Sequence, residues 1–264
     1  MISVLIPSRL VENPNRPGEL WLERALRSIG AQTILSRQKV EIVVGLDHDV
    51  DAPAVKSPPA LKLRFVNVEK NRRPGQASAI NAAGAAATGQ LIAILEDDDS
   101  WHQAFLTTAA RALGNCDFVS SSQMLVDEHG TPREPMYFPT PSGWLMRREL
   151  WREMGGFDES IRYHVDMEWL GRLNETGKRR VHLVERGFPL DMAFLKEHKK
   201  WLAHLAQGQP LPVKLQQHAA PVPLVVRTLS PNSGTNQIRS NSGAKGQSKR
   251  ELDTFKKRFG TIPW

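Results

Sequence analysis

One cysteine, Cys116, stands among 264 residues. No intramolecular disulfide can form, and thiols of this chain alone cannot build a metal site. Long apolar runs are missing too; stretches such as Leu91–Leu95 are far too short to cross a bilayer. The first residues, Met1-Ile2-Ser3-Val4, lack the basic start and long apolar core of a secretory signal. No internal repeat is visible. Most of the chain also lacks an excess of either charge. The net charge is +7, but residues 227–264 carry eight Lys and Arg against two Asp and Glu, while residues 1–226 carry 27 against 26. A neutral body argues against a dedicated nucleic-acid binder, which needs its positive charge on a folded face. Hydrophobic residues at 40% and charged residues at 24% are ordinary for a globular chain. The expectation is a cytoplasmic protein with one core over residues 1–226, followed by a basic Ser/Asn/Gly-rich segment over 227–264.

What is present alternates. Ile2–Ile6 is a short apolar run stopped by Pro7 and predicts a buried strand. Leu22, Ala25, Leu26 and Ile29 recur at the spacing of an amphipathic helix. Val40–Leu46 predicts a second strand, Leu63–Val68 a third and Leu91–Leu95 a fourth. Between the last two, Gly75–Ala87 is rich in small residues, as suits a helix lying close against a sheet. This order predicts an α/β fold with a central, mostly parallel sheet flanked by helices. Further helices are expected over His102–Leu113, Arg147–Met154, Asp166–Thr176 and around Phe194–Leu205, with short strands at Phe118–Ser121, Met124–Val126 and Val181–Val184. Ser230–Ser248 reads as a loop, and a basic helix is expected over Lys249–Phe259.

Ligands of such sheets bind outside the carboxyl ends of the strands. There the chain places Ser8-Arg9, Asp47-His48-Asp49 and Glu96-Asp97-Asp98-Asp99. Asp97 and Asp99, two residues apart, can approach one hard divalent ion such as Mg²⁺ or Mn²⁺. The competing reading makes Asp99 or Ser100 a helix cap with solvated acidic neighbours.

Motifs follow one another in order along the chain: Ser3-Val4-Leu5-Ile6-Pro7, Glu41–Asp47, Asn71 with Gly75, Ala79, Asn81 and Gly84, then Ala87-Thr88-Gly89, Ile94–Asp99, Gly155–Glu159 and Asp166-Met167-Glu168-Trp169. The ordered set resembles the family 2 glycosyltransferases of the GT-A fold. The first motif is similar to that family's opening strand, and Glu41–Asp47 to the strand that ends in a nucleotide-contacting aspartate. Asn71 through Gly84 is similar to its helix entry, and Ala87-Thr88-Gly89 and Ile94–Asp99 resemble the helix end and the Asp-x-Asp strand. Gly155–Glu159 and Asp166-Met167-Glu168-Trp169 resemble the acceptor-side loop and the acidic motif that supplies the base.

The resemblance implies a metal-dependent, inverting transferase that moves a sugar from a UDP- or GDP-sugar to a hydroxyl acceptor, either a saccharide or a lipid-linked one. It implies a nucleotide-binding half over residues 1–100 and an acceptor-side half over 101–226. The nucleotide side falls to Pro7, Ser8, Arg9, Asp47, Asn71, Gln76, Asp97 and Asp98, joined by Arg73, where the pair Arg72-Arg73 reads as a diphosphate contact or as a solvated turn. Mn²⁺ or Mg²⁺ falls to Asp99 with Asp97, and the catalytic base to Asp166.

The chain departs from the family pattern in places. Asp47 lacks a paired acid before it, Ser8-Arg9-Leu10 replaces the usual triplet, and Glu168 competes with Asp166 for the base. His198 is a metal-ligand candidate against a packed core histidine. Trp144, Trp151 and Trp169 are candidates for stacking on a sugar against core packing. The basic segment reads as a lid over the donor, a contact to an anionic membrane face, or a solvated tail. Two other functions compete. A sugar-nucleotide nucleotidyltransferase is disfavoured because Pro7-Ser8-Arg9-Leu10 contains no glycine. A non-catalytic nucleotide or polyanion binder would act through the tail.

Overall fold

The structure is a computed structural model. It describes residues 1–47, 52, 54, 55, 57–59, 61–186, 213–220, 222–230 and 233–260. The helix expected around Phe194–Leu205, and His198 with it, lies outside the described residues, as do His48 and Asp49.

In chain order the elements are β1 (Ile2–Ser8), α1 (Trp21–Gly30), β2 (Val40–Leu46), β3 (Lys62–Asn67), α2 (Gln76–Ala86) and β4 (Leu91–Ile94). Then come β5 (Ser100–Trp101), α3 (Phe105–Leu113), β6 (Phe118–Ser121), β7 (Gln123–Asp127), β8 (Pro132–Met136) and β9 (Trp144–Arg147). The rest are α4 (Arg148–Met154), α5 (Val165–Glu175), β10 (Arg180–Val184), β11 (Val213–Gln217), β12 (Val225–Leu229), α6 (Gly234–Ser240) and α7 (Ser242–Phe259).

An eight-stranded sheet runs β11-β10-β6-β9-β4-β1-β2-β3. Its pairs are parallel, except that β9 lies antiparallel between β4 and β6. A four-stranded sheet, β5-β12-β7-β8, stands beside it.

All seven positions of β1 and all seven of β2 are buried. Strands covered on both faces read as continuous apolar runs, which is why these two stand out in the sequence. One face packs on Leu22, Ala25, Leu26 and Ile29 of α1 and on α3. The other packs on α2, α4 and α5. The small residues of α2 have the expected cause: a Cβ on Gly45 of β2 would lie 1.9 Å from the Ala79 carbonyl oxygen, so the helix touches the strand backbone.

Trp144, Trp151 and Trp169 all sit in this second core. Trp144 and Trp169 are fully buried with ring centroids 4.9 Å apart, so core packing, not sugar stacking, is their role.

The C-terminal segment differs from its expectation. The strand β12 runs through residues 226 and 227, joining the body to the basic segment. The Ser/Asn/Gly-rich stretch expected as a loop forms α6 and the first seven residues of α7, whose remainder is the helix expected over Lys249–Phe259. Its polar residues are helix caps: Ser233 Oγ accepts from Asn236 N at 3.3 Å, and Asn241 Oδ1 from Ala244 N at 3.0 Å. Among the described residues no helix is long and apolar enough to cross a membrane.

Candidate active site

A cavity of about 500 Å³ opens at the carboxyl ends of β1, β2 and β4. Parallel pairing in register carries Ser8 and Leu46 to the same level, so Ser8 and Asp47 emerge side by side. Pro7, Ser8, Arg9, Asp47, Gln76, Asp97, Asp98 and Asp166, all singled out in the sequence, line this one cavity. Asn71 and Arg73 do not. Asn71 is exposed, and Arg73 donates to the Ser160 carbonyl at 2.9 Å.

Asp47 holds the mouth of α2 by accepting from the Gly75 amide. Gly75 has φ 152°, a backbone conformation that a side chain would strain, and an added Cβ would stand 3.3 Å from Arg162 Nη1.

The acidic turn after β4 sorts its carboxylates by direction. Asp97 turns toward β1, where Ser8 Oγ donates to its Oδ2 at 2.6 Å. Asp99 turns inward and is fully buried. Its two oxygens accept from Ser142 Oγ at 2.5 Å and Thr228 N at 2.8 Å. Asp99 therefore ties the turn to β12 and to the segment before β9, and it lies behind the cavity wall. Glu96 and Asp98 face the cavity. Gln76 donates to Glu96, and the Ser230 hydroxyl to Asp98. Arg24 braces the turn from outside through the Asp98 carbonyl and through Thr228 Oγ1, the latter at 2.6 Å.

Carboxylate oxygens of Glu96, Asp98 and Asp99 lie within 4.8 Å of one another. Crowding them in a desolvated turn favours the protonated forms. Burial, then the charge of Asp98, pushes Asp97 up to about 7. Burial, opposed by Arg227, brings Glu96 to about 6. Asp98 and Asp99 are raised for the same first reason. The donors are hard oxygens, and the set gains most from added positive charge, as a Mg²⁺ or Mn²⁺ site requires. Glu96 and Asp98 have the orientation for it; both oxygens of Asp99 already serve the protein.

Two carboxylates of α5 compete for the base, and their surroundings differ. Asp166 lines the cavity, and burial raises its pKa against the opposing charges of His164 and Arg227. Glu168 is buried away from it, held by Arg172 Nε at 2.8 and 2.9 Å and by Arg258 Nη1 at 3.2 Å.

Arg227 lines the cavity but was not singled out in the sequence, where it appears only as the first residue of the basic segment. Burial works against its charge, yet Glu96, Asp99, Asp166 and Asp98 together outweigh that and raise its pKa. The base candidate and the acidic turn thus share one guanidinium. Thr228, Ser230, Ser233 and five residues of α6 complete this wall. Its only sequence signal is an arginine at the junction between the neutral body and the basic segment.

A family model described as glycosyl transferase family 2 matches residues 3–168, from β1 through the start of α5. The chain belongs to glycosyl transferase family 2. It is 29% identical over 164 residues to the "Uncharacterized glycosyltransferase YwdF" of Bacillus subtilis (strain 168), a match covering 54% of this chain and 59% of that protein. The chain thus spans less than two thirds of this curated relative. Among solved structures, S. aureus TarS 1–349 in complex with UDP superposes with a TM-score of 0.51 at 13% identity, covering 98% of this chain and 72% of that one. The mannosyltransferase PcManGT from Pyrobaculum calidifontis, in complex with GDP-Man and Mn²⁺, gives 0.50 at 20% identity, covering 80% and 66%. These likenesses establish the GT-A fold for this member of the family. The match ends at residue 168, so β12, α6 and α7 lie beyond it.

Proposed function

We propose that the protein is an inverting glycosyltransferase that uses a nucleoside diphosphate sugar as donor and a hydroxyl group as acceptor. The observation that carries this reading is the convergence of the Asp166 carboxylate, Arg227 and the Glu96/Asp98 pair on one cavity at the carboxyl ends of β1, β2 and β4. Ser8, Asp47 and Gln76 bound the nucleotide side. UDP and GDP-mannose bound to the structural relatives support a donor of that class.

Glu96 and Asp98 would hold Mn²⁺ or Mg²⁺, which when bound supplies positive charge to the donor diphosphate. Asp166 accepts the proton of the acceptor hydroxyl as the oxygen attacks the anomeric carbon. Its raised pKa makes it the stronger proton acceptor. The bond from that carbon to the diphosphate oxygen breaks on the opposite side, so one displacement inverts the centre. Arg227 stands between base and acidic turn and stabilises the charge that gathers on the leaving diphosphate. The acceptor is a saccharide or lipid-linked hydroxyl, and the exposed lysines of α7 would suit an anionic membrane face.

A thermal-shift panel of UDP, GDP, CDP and dTDP, each with and without Mn²⁺, tests the reading. Stabilisation of about 2.7 kcal/mol is expected from one nucleotide at a hundredfold excess over Kd, only with metal present. No shift from any of the four would overturn the site assignment.

A further inference from the structure

The helix α7 touches the body through a stripe that is polar at its centre: Ala244, Ser248, Glu251 and Phe255 are its buried residues. Glu251 is only 8% exposed, yet among the described residues it has no ion-pair partner. Its carboxylate is instead filled by backbone amides. Oε1 accepts from Arg162 N at 2.9 Å, and Oε2 from Tyr163 N at 3.0 Å and His164 N at 3.2 Å. Gln247 Nε2 adds a fourth donor at 3.2 Å. One residue earlier on the stripe, Ser248 Oγ lies 2.8 Å from His164 Nε2.

Those three amides belong to consecutive residues that all line the cavity, and they lead directly into α5, whose second residue is Asp166. Three hydrogen bonds to one carboxylate fix successive peptide planes, and bonds to a charged acceptor are stronger than neutral ones. The start of α5 favours a negative charge there as well. Farther along, the helices are held by contacts remote from the cavity: Arg258 reaches Glu168 at 3.2 Å and Glu175 at 3.5 Å, and Phe259 lies so close to Gly171 that an added Cβ would meet its ring at 2.5 Å. Docking of α7 thus has its own anchors. Glu251 does something else, dictating the backbone path of the loop before Asp166.

We propose that Glu251 is a positioning residue that clasps the 162–164 backbone and sets Asp166, with Arg162 and His164, in working geometry. This rests on the reading of Asp166 as the base. The helix beyond the family match is then part of the catalytic apparatus without touching substrate.

The test combines hydrogen exchange of the full chain with release of nucleoside diphosphate from UDP-GlcNAc or GDP-mannose in the presence of Mn²⁺. For Glu251→Ala, amides of residues 162–166 should exchange faster while β1, β2 and β4 keep their protection. The Kd for UDP or GDP and the KM for donor should stay within twofold. The kcat should fall by up to about 100-fold, the cost of small misplacement of a reacting group. Glu251→Gln keeps one carbonyl acceptor and should restore part of the rate; it also carries the test if the alanine variant does not fold. Unchanged exchange, or faster exchange with unchanged kcat, overturns the proposal. Asp166→Asn run alongside separates the two readings: full release by that variant defeats the base assignment, while exchange still reports on the clasp. If the unaltered protein releases nothing, the transferase reading fails and exchange alone decides whether the clasp exists.

Discussion

Residues 1–101 reach the cavity from β1, β2 and β4 of the central sheet, buried on both faces, whereas residues 225–260 reach it from the smaller sheet, through β12, and from α6 and α7, and polar contacts tie them to the site's reacting groups. In the first region, Ser8 and Asp47 are placed by β1 and β2, each with seven buried positions. Burial of that extent is redundant, since no single contact sets the geometry. In the second, the Thr228 amide on Asp99, the Glu251 carboxylate on three amides and Ser248 on His164 each stand alone. Hydrophobic burial fixes where a site is. Directional hydrogen bonds from a second segment fix how its reacting groups point, and those are the contacts that single substitutions break.

The largest effect is expected at α5, where two neighbouring carboxylates have opposite surroundings. Asp166→Asn keeps the shape of the cavity but removes the proton acceptor. It should lower kcat by about 10²- to 10⁴-fold with nucleotide affinity unchanged, read from steady-state rates and binding isotherms. Glu168→Gln should do the reverse. It leaves Arg172 and Arg258 short of a charged partner, so the melting temperature falls while kcat of the folded fraction holds. If Glu168→Gln abolished turnover in a stably folded protein, the assignment of the two acids would be inverted.

The next comparison sits in the acidic turn. Asp98→Ala should remove the metal-dependent part of nucleotide stabilisation and leave the melting temperature of the ligand-free protein unchanged or higher, because a crowded buried charge is gone. Asp99→Ala should cost about 1–3 kcal/mol of stability, since Ser142 Oγ and Thr228 N lose their buried acceptor. Denaturant melts with and without UDP and Mn²⁺ separate the two. A metal-binding defect in Asp99→Ala with undiminished stability would contradict the inward placement of Asp99.

The same division governs how much the sequence reveals. The strands β1, β2 and β4 and the helix α1 are legible because apolar burial leaves a periodic trace. The strand β9 leaves none: Trp144–Arg147 follows a Pro/Ser/Gly stretch, and its pairing partners are distant in sequence. Ser8 and Asp47, which line the cavity at strand ends, are legible from position and from the family resemblance, and Asp166, on α5, from the resemblance alone. The direction of each carboxylate in Glu96–Asp99 is not, because a one-residue change of phase past a strand end turns a side chain from cavity to core. That is why spacing points to Asp97 and Asp99, while in the structure Glu96, Asp97 and Asp98 line the cavity and Asp99 turns inward. Arg227 and Glu251 escape notice for a related reason. A polar residue buried against backbone amides or carboxylates has the same letter as one in solvent, and Ser/Asn/Gly composition reads as loop whether or not it caps helices.

The smallest effect is expected where the first region relies on polar contacts, at Glu41. This residue is 1% exposed in the middle of the sheet. Its Oε1 accepts from Ser3 Oγ at 2.6 Å, Thr88 N at 2.6 Å, Thr88 Oγ1 at 2.8 Å and Gly89 N at 3.2 Å. Burial alone would raise its pKa, but these donors and the Arg64 charge outweigh burial and hold the carboxyl below its usual value of 4.5. The ionised form is therefore bound more favourably in the folded state than in the unfolded one. Its contribution is present above about pH 4.5 and is lost as the pH falls through the lower folded value. Glu41→Gln should cost about 1–2 kcal/mol at neutral pH, the range for hydrogen bonds to a charged group, and that deficit should shrink on acidification. Nucleotide affinity should not change, because Ser3, Glu41 and Thr88 carry the family resemblance without lining the cavity. Chemical denaturation at pH 7 and pH 4 reads the difference directly. A deficit that grows on acidification would mean that the surrounding strands, not the carboxylate, hold Ser3 and Thr88 together, and the donor-side region would then be redundant even at its buried charge.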